Sequence, residues 1–120
     1  MDRFTVALVF VVRNVGIATA FAVTVLHQLE FTMFATAYFV MGRADPADFS
    51  EALTRSDALY FTVTVFATVG FGDVSPQGET TRLVVTGQMI LDLIFLGVGI
   101  RTILGAVQRS KERSTNGGAP

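Results

Sequence analysis

The 120-residue chain has no cysteine, one histidine and few charged residues. Without cysteine it can form neither a disulfide nor a thiolate metal site, and His27 alone cannot build a multi-histidine metal site within one chain. Charged residues make up 16% of the chain, against about 25% in soluble domains. Because the 51% of hydrophobic residues are gathered into long runs, the composition indicates a membrane protein.

Length and net charge set further bounds. A chain of 120 residues fits one domain at most. The formal net charge is −1, so no excess of positive charge suggests nucleic acid as a partner. Asp2-Arg3 precedes an apolar stretch, but Arg13-Asn14 interrupts that stretch and no small-residue cleavage site stands out, so we do not predict a signal peptide.

Three apolar regions follow one another, at residues 4–41, 58–69 and 83–107. Crossing a bilayer takes about 20 helical residues, so the third region can span a membrane. The second, of only about a dozen residues, predicts a re-entrant helix. The first is too long for one crossing, since 38 residues (4 to 41) at 1.5 Å each extend roughly 57 Å.

The first region can be divided in two ways. In one division the chain breaks at Arg13-Asn14, so that residues 1–14 form an interfacial or lead-in segment and the outer spanning helix runs over residues 15–41. In the other division a helix covers residues 4–26 and breaks at residues 27–30. The motif spacing described below favours the first. The lead-in could also be the remnant of an upstream helix in a longer protein.

The polar segments predict the connections and the orientation. Gly, Pro and charged residues at 42–51 mark an exposed loop, and Ser56 or Asp57 is the expected cap of the short helix. Residues 109–120 are expected to form a flexible tail. Arg109, Lys111 and Arg113 in this tail indicate that both ends of the chain are cytoplasmic, with an acidic outer loop that concentrates cations.

A six-residue motif lies between the short helix and the last apolar region, and it reads Thr68-Val69-Gly70-Phe71-Gly72-Asp73. With it the chain resembles the potassium channels, whose selectivity filter reads Thr-Val-Gly-Tyr-Gly-Asp or has Phe in place of Tyr. The resemblance covers roughly residues 18–108, and it includes small two-helix bacterial potassium channels, which align without a gap from Tyr38 to beyond Arg82. It implies an all-α membrane protein with an outer helix, a re-entrant pore helix with its filter, and an inner helix, and a pore domain over residues 15–108.

The resemblance also implies how the motif selects ions. Backbone carbonyls of Thr68, Val69, Gly70 and Phe71, with the Thr68 hydroxyl, replace the water around K⁺. Successive carbonyls can face one axis only if the backbone alternates in handedness, which Gly70 and Gly72 allow. One strand cannot surround an ion, and irregular backbone cannot face lipid. Three further identical subunits, forming a closed homotetramer within membrane lipid, are therefore implied.

Four residues are predicted to support the filter: Tyr60, Phe61, Thr64 and Asp73. In the family, a filter tyrosine donates a hydrogen bond to an aromatic cuff on the short helix. Tyr60 and Phe61 occupy that cuff here, but Phe71 has no hydroxyl to donate. Thr64 stands where some relatives carry a glutamate that pairs with the filter aspartate, so Asp73 must find another partner.

Asp92 is the most unusual residue of the third apolar region, where many relatives have a hinge glycine. Two interpretations stay open. Its carboxylate faces a central cavity, or it bonds to the back of the short helix through Thr62 or Thr64. Intramembrane carboxylates commonly have a function. Gly97 and Gly99 could replace the hinge or allow close helix packing.

Four apolar residues are predicted to line the cavity and inner mouth, unless they form a plain packing stripe: Leu93, Leu96, Ile100 and Leu104. Arg101 is expected to extend to the lipid headgroups. On the outer helix, His27, Gln28 and Glu30 should turn toward protein or water, as a satisfied polar patch or a proton sensor.

The sequence therefore predicts a potassium-selective channel in a bacterial plasma membrane, with K⁺ as the permeant ion, no cofactor and no catalysis. Two alternatives remain: a non-selective cation channel of the same architecture and a non-conducting membrane adaptor. No arginine-rich voltage sensor is present in these 120 residues, so the stimulus that opens the channel is not predicted.

Overall fold

A computed structural model describes residues 2–116, and within this range the chain forms three α-helices. Helix α1 covers Arg3–Ala44, α2 covers Arg55–Phe66 and α3 covers Glu79–Asn116. A 3₁₀ turn, Pro46–Asp48, lies between α1 and α2. Helices α1 and α3 are long and apolar enough to cross a membrane, whereas the 12 residues of α2 are too few. The predicted all-α class and element order are thus confirmed.

Helix α1 is continuous, so the predicted break at Arg13-Asn14 is wrong, and so is the alternative break at residues 27–30. The Asn14 side-chain amide donates to the carbonyl oxygen of Phe10 at 2.7 Å. This bond satisfies the polar group within the helix and removes the reason for a break. At 1.5 Å per residue the 42 residues of α1 extend about 63 Å, twice the thickness of a hydrocarbon core.

The ends of the other helices also differ from expectation. Thr54, rather than Ser56 or Asp57, is the N-cap of α2, and Asp57 is the third residue of a reciprocal capping box. The Thr54 hydroxyl accepts from the Asp57 backbone N–H at 3.2 Å, and the Thr54 N–H donates to Asp57 Oδ2 at 2.9 Å. Helix α3 continues to Asn116, so a flexible tail from residue 109 is wrong as far as that residue, and residues 117–120 lie outside the described range.

An aromatic cluster joins the helices near the loop that connects α1 to α2. Tyr38 of α1 is fully buried, and its ring meets those of Phe61 of α2 and Phe49 of the loop edge-on, with centroids 5.1 and 5.9 Å apart. Phe49 and Phe61 meet each other in the same way at 5.6 Å. Edge-to-face contacts of this kind add to the burial of large apolar rings. The cluster fixes α2 against α1 and the connecting loop, and so positions the chain that follows α2.

Candidate functional site

The chain leaves the end of α2 in a tight turn whose backbone N–H groups point back to the helix. Thr68 N–H donates to the carbonyl oxygen of Val65 at 3.0 Å. The N–H groups of Val69 and Gly70 both donate to the carbonyl oxygen of Thr64, at 3.1 and 3.3 Å. These bonds satisfy carbonyls that a helix end leaves unpaired. They also direct the donors of the segment toward its own helix.

The backbone of this segment alternates in handedness. Thr68, Gly70 and Gly72 have φ of +57°, +52° and +78°, and no other residue of the described chain has a positive φ. Glycine adopts this conformation readily, whereas threonine does so at a steric cost. The sequence predicted the conformation at Gly70 and Gly72. The third position, Thr68, was missed, although the two-residue spacing of the glycines points to it.

The carbonyl oxygens of the segment are free within the subunit. Among residues 2–116, no hydrogen bond ends on the backbone oxygen of any residue from Thr68 to Gly72. Unpaired backbone oxygens are costly in a membrane unless they line a cavity or coordinate a ligand. A strand of such oxygens can replace water around a dehydrated cation when several strands converge.

The partner that the sequence required for Asp73 is Tyr60. The Tyr60 hydroxyl donates to Asp73 Oδ2 at 2.8 Å. This hydrogen bond holds the pKa of Asp73 below its usual range and raises the pKa of Tyr60. The Phe71 ring lies parallel to the Tyr60 ring with centroids 6.4 Å apart. Tyr60 therefore contacts two residues of the segment, by a hydrogen bond and by ring stacking.

Phe61 and Thr64, the other two predicted supports, act from inside the subunit. Phe61 is buried in the aromatic cluster with Tyr38 and Phe49 rather than beside Phe71. Thr64 is buried, and its hydroxyl donates to the Phe61 carbonyl oxygen at 2.9 Å. Its support for the segment comes from its own carbonyl oxygen, which accepts from two N–H groups. No side-chain bond joins Thr64 to Asp73.

A second anchor of the segment was missed in the sequence and comes from the loop after α1. Phe49 and Pro76 form an antiparallel bridge, and Ser50 N–H donates to the Ser75 carbonyl oxygen at 2.9 Å. The Ser50 hydroxyl donates to the Asp73 carbonyl oxygen at 3.3 Å and accepts from Ser75 N–H at 3.0 Å. The loop is polar and irregular, and it pairs with residues 23 to 25 positions further along the chain. Such a pairing produces no periodic pattern in the sequence from which it could be predicted.

Asp92 is buried, and it points toward the other helices of its own subunit. Gln88, one turn earlier on α3, donates from Nε2 to Asp92 Oδ2 and to the backbone oxygen of Thr62, each at 3.1 Å. Gln88 Oε1 accepts from the Tyr38 hydroxyl at 2.6 Å. Gln88 thus joins all three helices, a role that the sequence analysis missed because an isolated glutamine in an apolar run carries no motif.

The apolar residues predicted to line the cavity lie on the outside of the subunit. Leu93, Leu96, Ile100 and Leu104 are each at least half exposed. Leu93 and Leu96 border an apolar hollow of about 430 Å³ between the segment after α2, α2 itself and α3, and its lining also includes Thr68 and Asp92. A single subunit leaves this face uncovered.

The polar patch predicted on α1 is divided between two faces. Glu30 is buried and His27 is half-buried, whereas Gln28 is exposed on the other side of the helix. Within one subunit, therefore, Gln28 does not meet the expectation that all three residues turn toward protein or water. Arg101 is exposed, and so are Gly97 and Gly99, which have no atom within 4 Å of an added Cβ.

Two long apolar helices, a short helix between them and a segment of free carbonyl oxygens define a membrane protein with an ion pathway. The model of a family described as "Ion channel" matches residues 5–109. The chain belongs to this ion channel family and is not an enzyme.

A more specific similarity is to the two-pore potassium channel 4 of Arabidopsis thaliana. The two sequences are 33% identical over 70 residues, which cover 48% of this chain and 25% of the plant protein. The chain thus matches about a quarter of the length of that relative.

Proposed function

We propose that the chain is one of four identical subunits of a potassium-selective channel that passes K⁺ down its gradient. The observation that carries the proposal is the segment Thr68–Gly72, which has a left-handed backbone at every second residue and carbonyl oxygens free of partners within the described subunit. Such oxygens select K⁺ by replacing its hydration shell. The potassium channel relative supports the choice of ion.

Four copies are needed because one strand offers oxygens from one side only. A fourfold ring of strands encloses the ion, and the same arrangement covers irregular backbone that lipid cannot satisfy. The exposed apolar side chains Leu93 and Leu96, next to the open hollow behind the filter, supply a surface for the neighbouring subunits and the pore. Helix α2 ends at Phe66, so its negative dipole end points toward the ion pathway.

Orientation follows from charge. The basic residues Arg109, Lys111 and Arg113 near the end of α3 support a cytoplasmic location for that end, and with two crossings the start of α1 would lie on the same side. The loop after α1 and the segment after the filter then face outward. The acidic residues Asp45, Asp48 and Glu51 of that loop raise the local concentration of cations at the outer entrance.

The test is the reversal potential of purified protein in planar bilayers with K⁺ on one side and Na⁺ on the other. The expected result is a reversal potential far from zero, with the sign that a K⁺ permeability much larger than the Na⁺ permeability sets. Equal permeability to both ions would instead indicate a non-selective cation channel, and no current from correctly assembled protein would indicate an adaptor. Native mass measurement in mild detergent should give four subunits, and a stable monomer would contradict the proposal.

A further inference from the structure

Two buried carboxyl groups on different helices belong to one cluster inside the subunit. Glu30 of α1 is 6% exposed and Asp92 of α3 is 5% exposed. His27, whose Nδ1 is 3.4 Å from Glu30 Oε2, packs its ring against Phe95, which lies one turn after Asp92 on α3. Glu30 is 14 residues before the end of α1 (44 − 30), and Asp92 is 13 residues after the start of α3 (92 − 79). At 1.5 Å per residue both lie about 20 Å from the outer ends of their helices.

The oxygens of this pair lack hydrogen-bond donors. Within residues 2–116, neither oxygen of Glu30 nor Oδ1 of Asp92 has a hydrogen-bond partner, and Asp92 Oδ2 receives one bond from Gln88. Two adjacent ionised carboxylates without donors are very unfavourable away from water. A single proton between them removes one negative charge and supplies the missing O–H donor. Proteins that hold two carboxyl groups side by side commonly share a proton in this way.

The surroundings of the pair supply no neutralising lysine or arginine. Its ionisable neighbours among the described residues are His27, whose Nδ1 is 3.4 Å from Glu30 Oε2, and Tyr38, whose hydroxyl donates to the Gln88 amide that in turn donates to Asp92. The His27 ring packs between Phe31, Phe66 and Phe95, at centroid distances of 4.9, 4.6 and 5.3 Å. Helix α2 contributes the backbone oxygen of Thr62, which accepts from Gln88, and α3 contributes the neutral amide of Gln88, which donates to Asp92. The polar side chains of the cluster are the histidine, the two carboxyl groups, the amide and the Tyr38 hydroxyl.

We propose that Glu30 and Asp92 form a proton-binding site that joins the outer helix to the inner helix within each subunit. With the proton bound, an O–H···O hydrogen bond holds α3 against α1. When the proton leaves at alkaline pH, two negative charges face each other and drive the helices apart. The joining contact is therefore complete at neutral and acid pH and is lost as the pH rises.

The consequence for the current rests on the proposed function. Leu93 and Leu96 are close to Asp92 along α3. These two leucines, unlike Asp92, are exposed on the face that the proposed function assigns to the pore. Releasing α3 from α1 changes the position of these side chains, so the open probability depends on the charge of the pair. The direct occupant of the site is the proton, and its presence can be measured whether or not the protein conducts.

Infrared difference spectroscopy on the purified, reconstituted protein tests the site itself. The expected result is one carbonyl stretch of a buried protonated carboxyl group per subunit at neutral pH, which disappears on titration to alkaline pH. Both Glu30→Gln and Asp92→Asn should lose this band, because the amide then donates to the remaining carboxylate. Glu79→Gln removes an exposed carboxyl group at the start of α3 and should keep the band.

Two results would overturn the proposal. The first is a wild-type spectrum without a protonated carboxyl band at neutral pH. The second is a band that survives in both Glu30→Gln and Asp92→Asn. Each substitution keeps the shape of the side chain, and unchanged elution of the assembled protein shows that the comparison is between folded proteins.

Current recordings at increasing pH test the consequence. The steady-state current of wild type should change between neutral and alkaline pH, and this change should be lost in both Glu30→Gln and Asp92→Asn but kept in Glu79→Gln. An identical pH dependence in all four proteins would overturn the link to gating. A carboxyl band with no K⁺ current would contradict the proposed function alone, and a K⁺ current with no band would contradict the proton site alone.

Discussion

Tyr60 and Asp73 are 13 positions apart in the chain, and a 2.8 Å hydrogen bond from the tyrosine hydroxyl to the aspartate carboxylate joins them across the outer end of the filter segment. The Tyr60 ring also stacks on Phe71. Phe71 has no hydroxyl with which to bond to α2, so these two contacts are the side-chain links between α2 and the outer part of the filter. Their loss should affect the filter before it affects the fold.

Tyr60→Phe should make the K⁺ current decline faster during sustained opening, because the ring remains and the restraint on Asp73 is lost. The Tyr60 bond lowers the pKa of Asp73. Its stabilising effect is therefore complete above the usual pKa of aspartate and is lost as the pH falls through the lowered value. The difference between Tyr60→Phe and wild type should thus shrink as the outer solution is made acidic.

Tyr60→Trp is the matched control, since the indole N–H can donate to the carboxylate. It should decline more slowly than Tyr60→Phe in the same recording. If Tyr60→Phe and wild type decline at the same rate at neutral pH, the hydrogen bond does not stabilise the conducting filter.

The sequence predicted the order of the helices and the positive φ of two glycines because both depend on local signals. The length of apolar runs distinguishes spanning from re-entrant helices, and Gly70 and Gly72 mark the positive-φ positions. The sequence showed that Asp73 needs a partner in place of the glutamate of some relatives, but it left that partner open. The anchor from Ser50 could not be predicted at all, because it joins two irregular segments through single hydrogen bonds.

Thr54→Ala should destabilise α2 by about 0.5–2 kcal/mol, the usual cost of losing an N-cap. The Thr54 hydroxyl accepts from Asp57 N–H and donates to Asp57 Oδ2 at 2.6 Å. Its bonds hold the pKa of Asp57 below the usual range. Wild type should therefore lose this stabilisation as the pH falls, and Thr54→Ala should depend less on pH. Thermal unfolding at neutral and acid pH measures both effects.

Thr54→Ser retains a hydroxyl and serves as the control for this cap. It should unfold close to the wild-type temperature at neutral pH. An unchanged unfolding temperature in Thr54→Ala would indicate that packing against the aromatic cluster alone fixes the start of α2.

Gly70→Ala should abolish K⁺ current without preventing assembly. An added Cβ meets no atom within 4 Å in the subunit, so the effect comes from the φ of +52°. Alanine is disfavoured in this left-handed conformation by roughly 1–2 kcal/mol per residue, and each of the four proposed subunits incurs this cost. Gly87→Ala, in the interior of α3 with equal space around it, is the control and should conduct. A conducting Gly70→Ala channel would contradict the backbone conformation assigned to the filter.

Tyr38→Phe should lower the stability of the subunit by about 1–3 kcal/mol, because it leaves Gln88 Oε1 buried without its donor. The ring stays, so the aromatic contacts with Phe61 and Phe49 persist. Thermal unfolding of Tyr38→Phe, Gln88→Leu and the double variant measures the coupling between the two side chains. Additive effects would show that the 2.6 Å hydrogen bond contributes little.

Asp92 marks the limit of what the sequence could predict. Its position in α3 and its depth could be predicted from the sequence. The direction of its side chain could not, because the residues of one helical turn point in all directions and the apolar residues around Asp92 show no periodicity that identifies a buried face. The two interpretations were a cavity-facing carboxylate and a bond to the back of α2. In the structure Asp92 faces inward, and its link to α2 passes through Gln88 to the Thr62 carbonyl rather than through a threonine hydroxyl.

Single-channel conductance distinguishes a carboxylate that faces the pore from one that faces the interior of the subunit. A ring of four carboxylates facing the water-filled pore would raise the local cation concentration, and its removal would lower the conductance at low salt. Because Asp92 is 5% exposed and Leu93 is 60% exposed, Asp92→Asn should leave the open-channel conductance unchanged at low salt.

Leu93→Asp is the matched variant that moves a carboxylate to the exposed neighbouring position. It should raise the conductance at low salt and strengthen block by an internal polyvalent cation. Both effects should vanish at high salt, where the Debye length falls to about 3 Å at 1 M. If Asp92→Asn instead lowers the conductance at low salt and converges with wild type at high salt, the native carboxylate faces the pore and the inward position assigned to it is wrong.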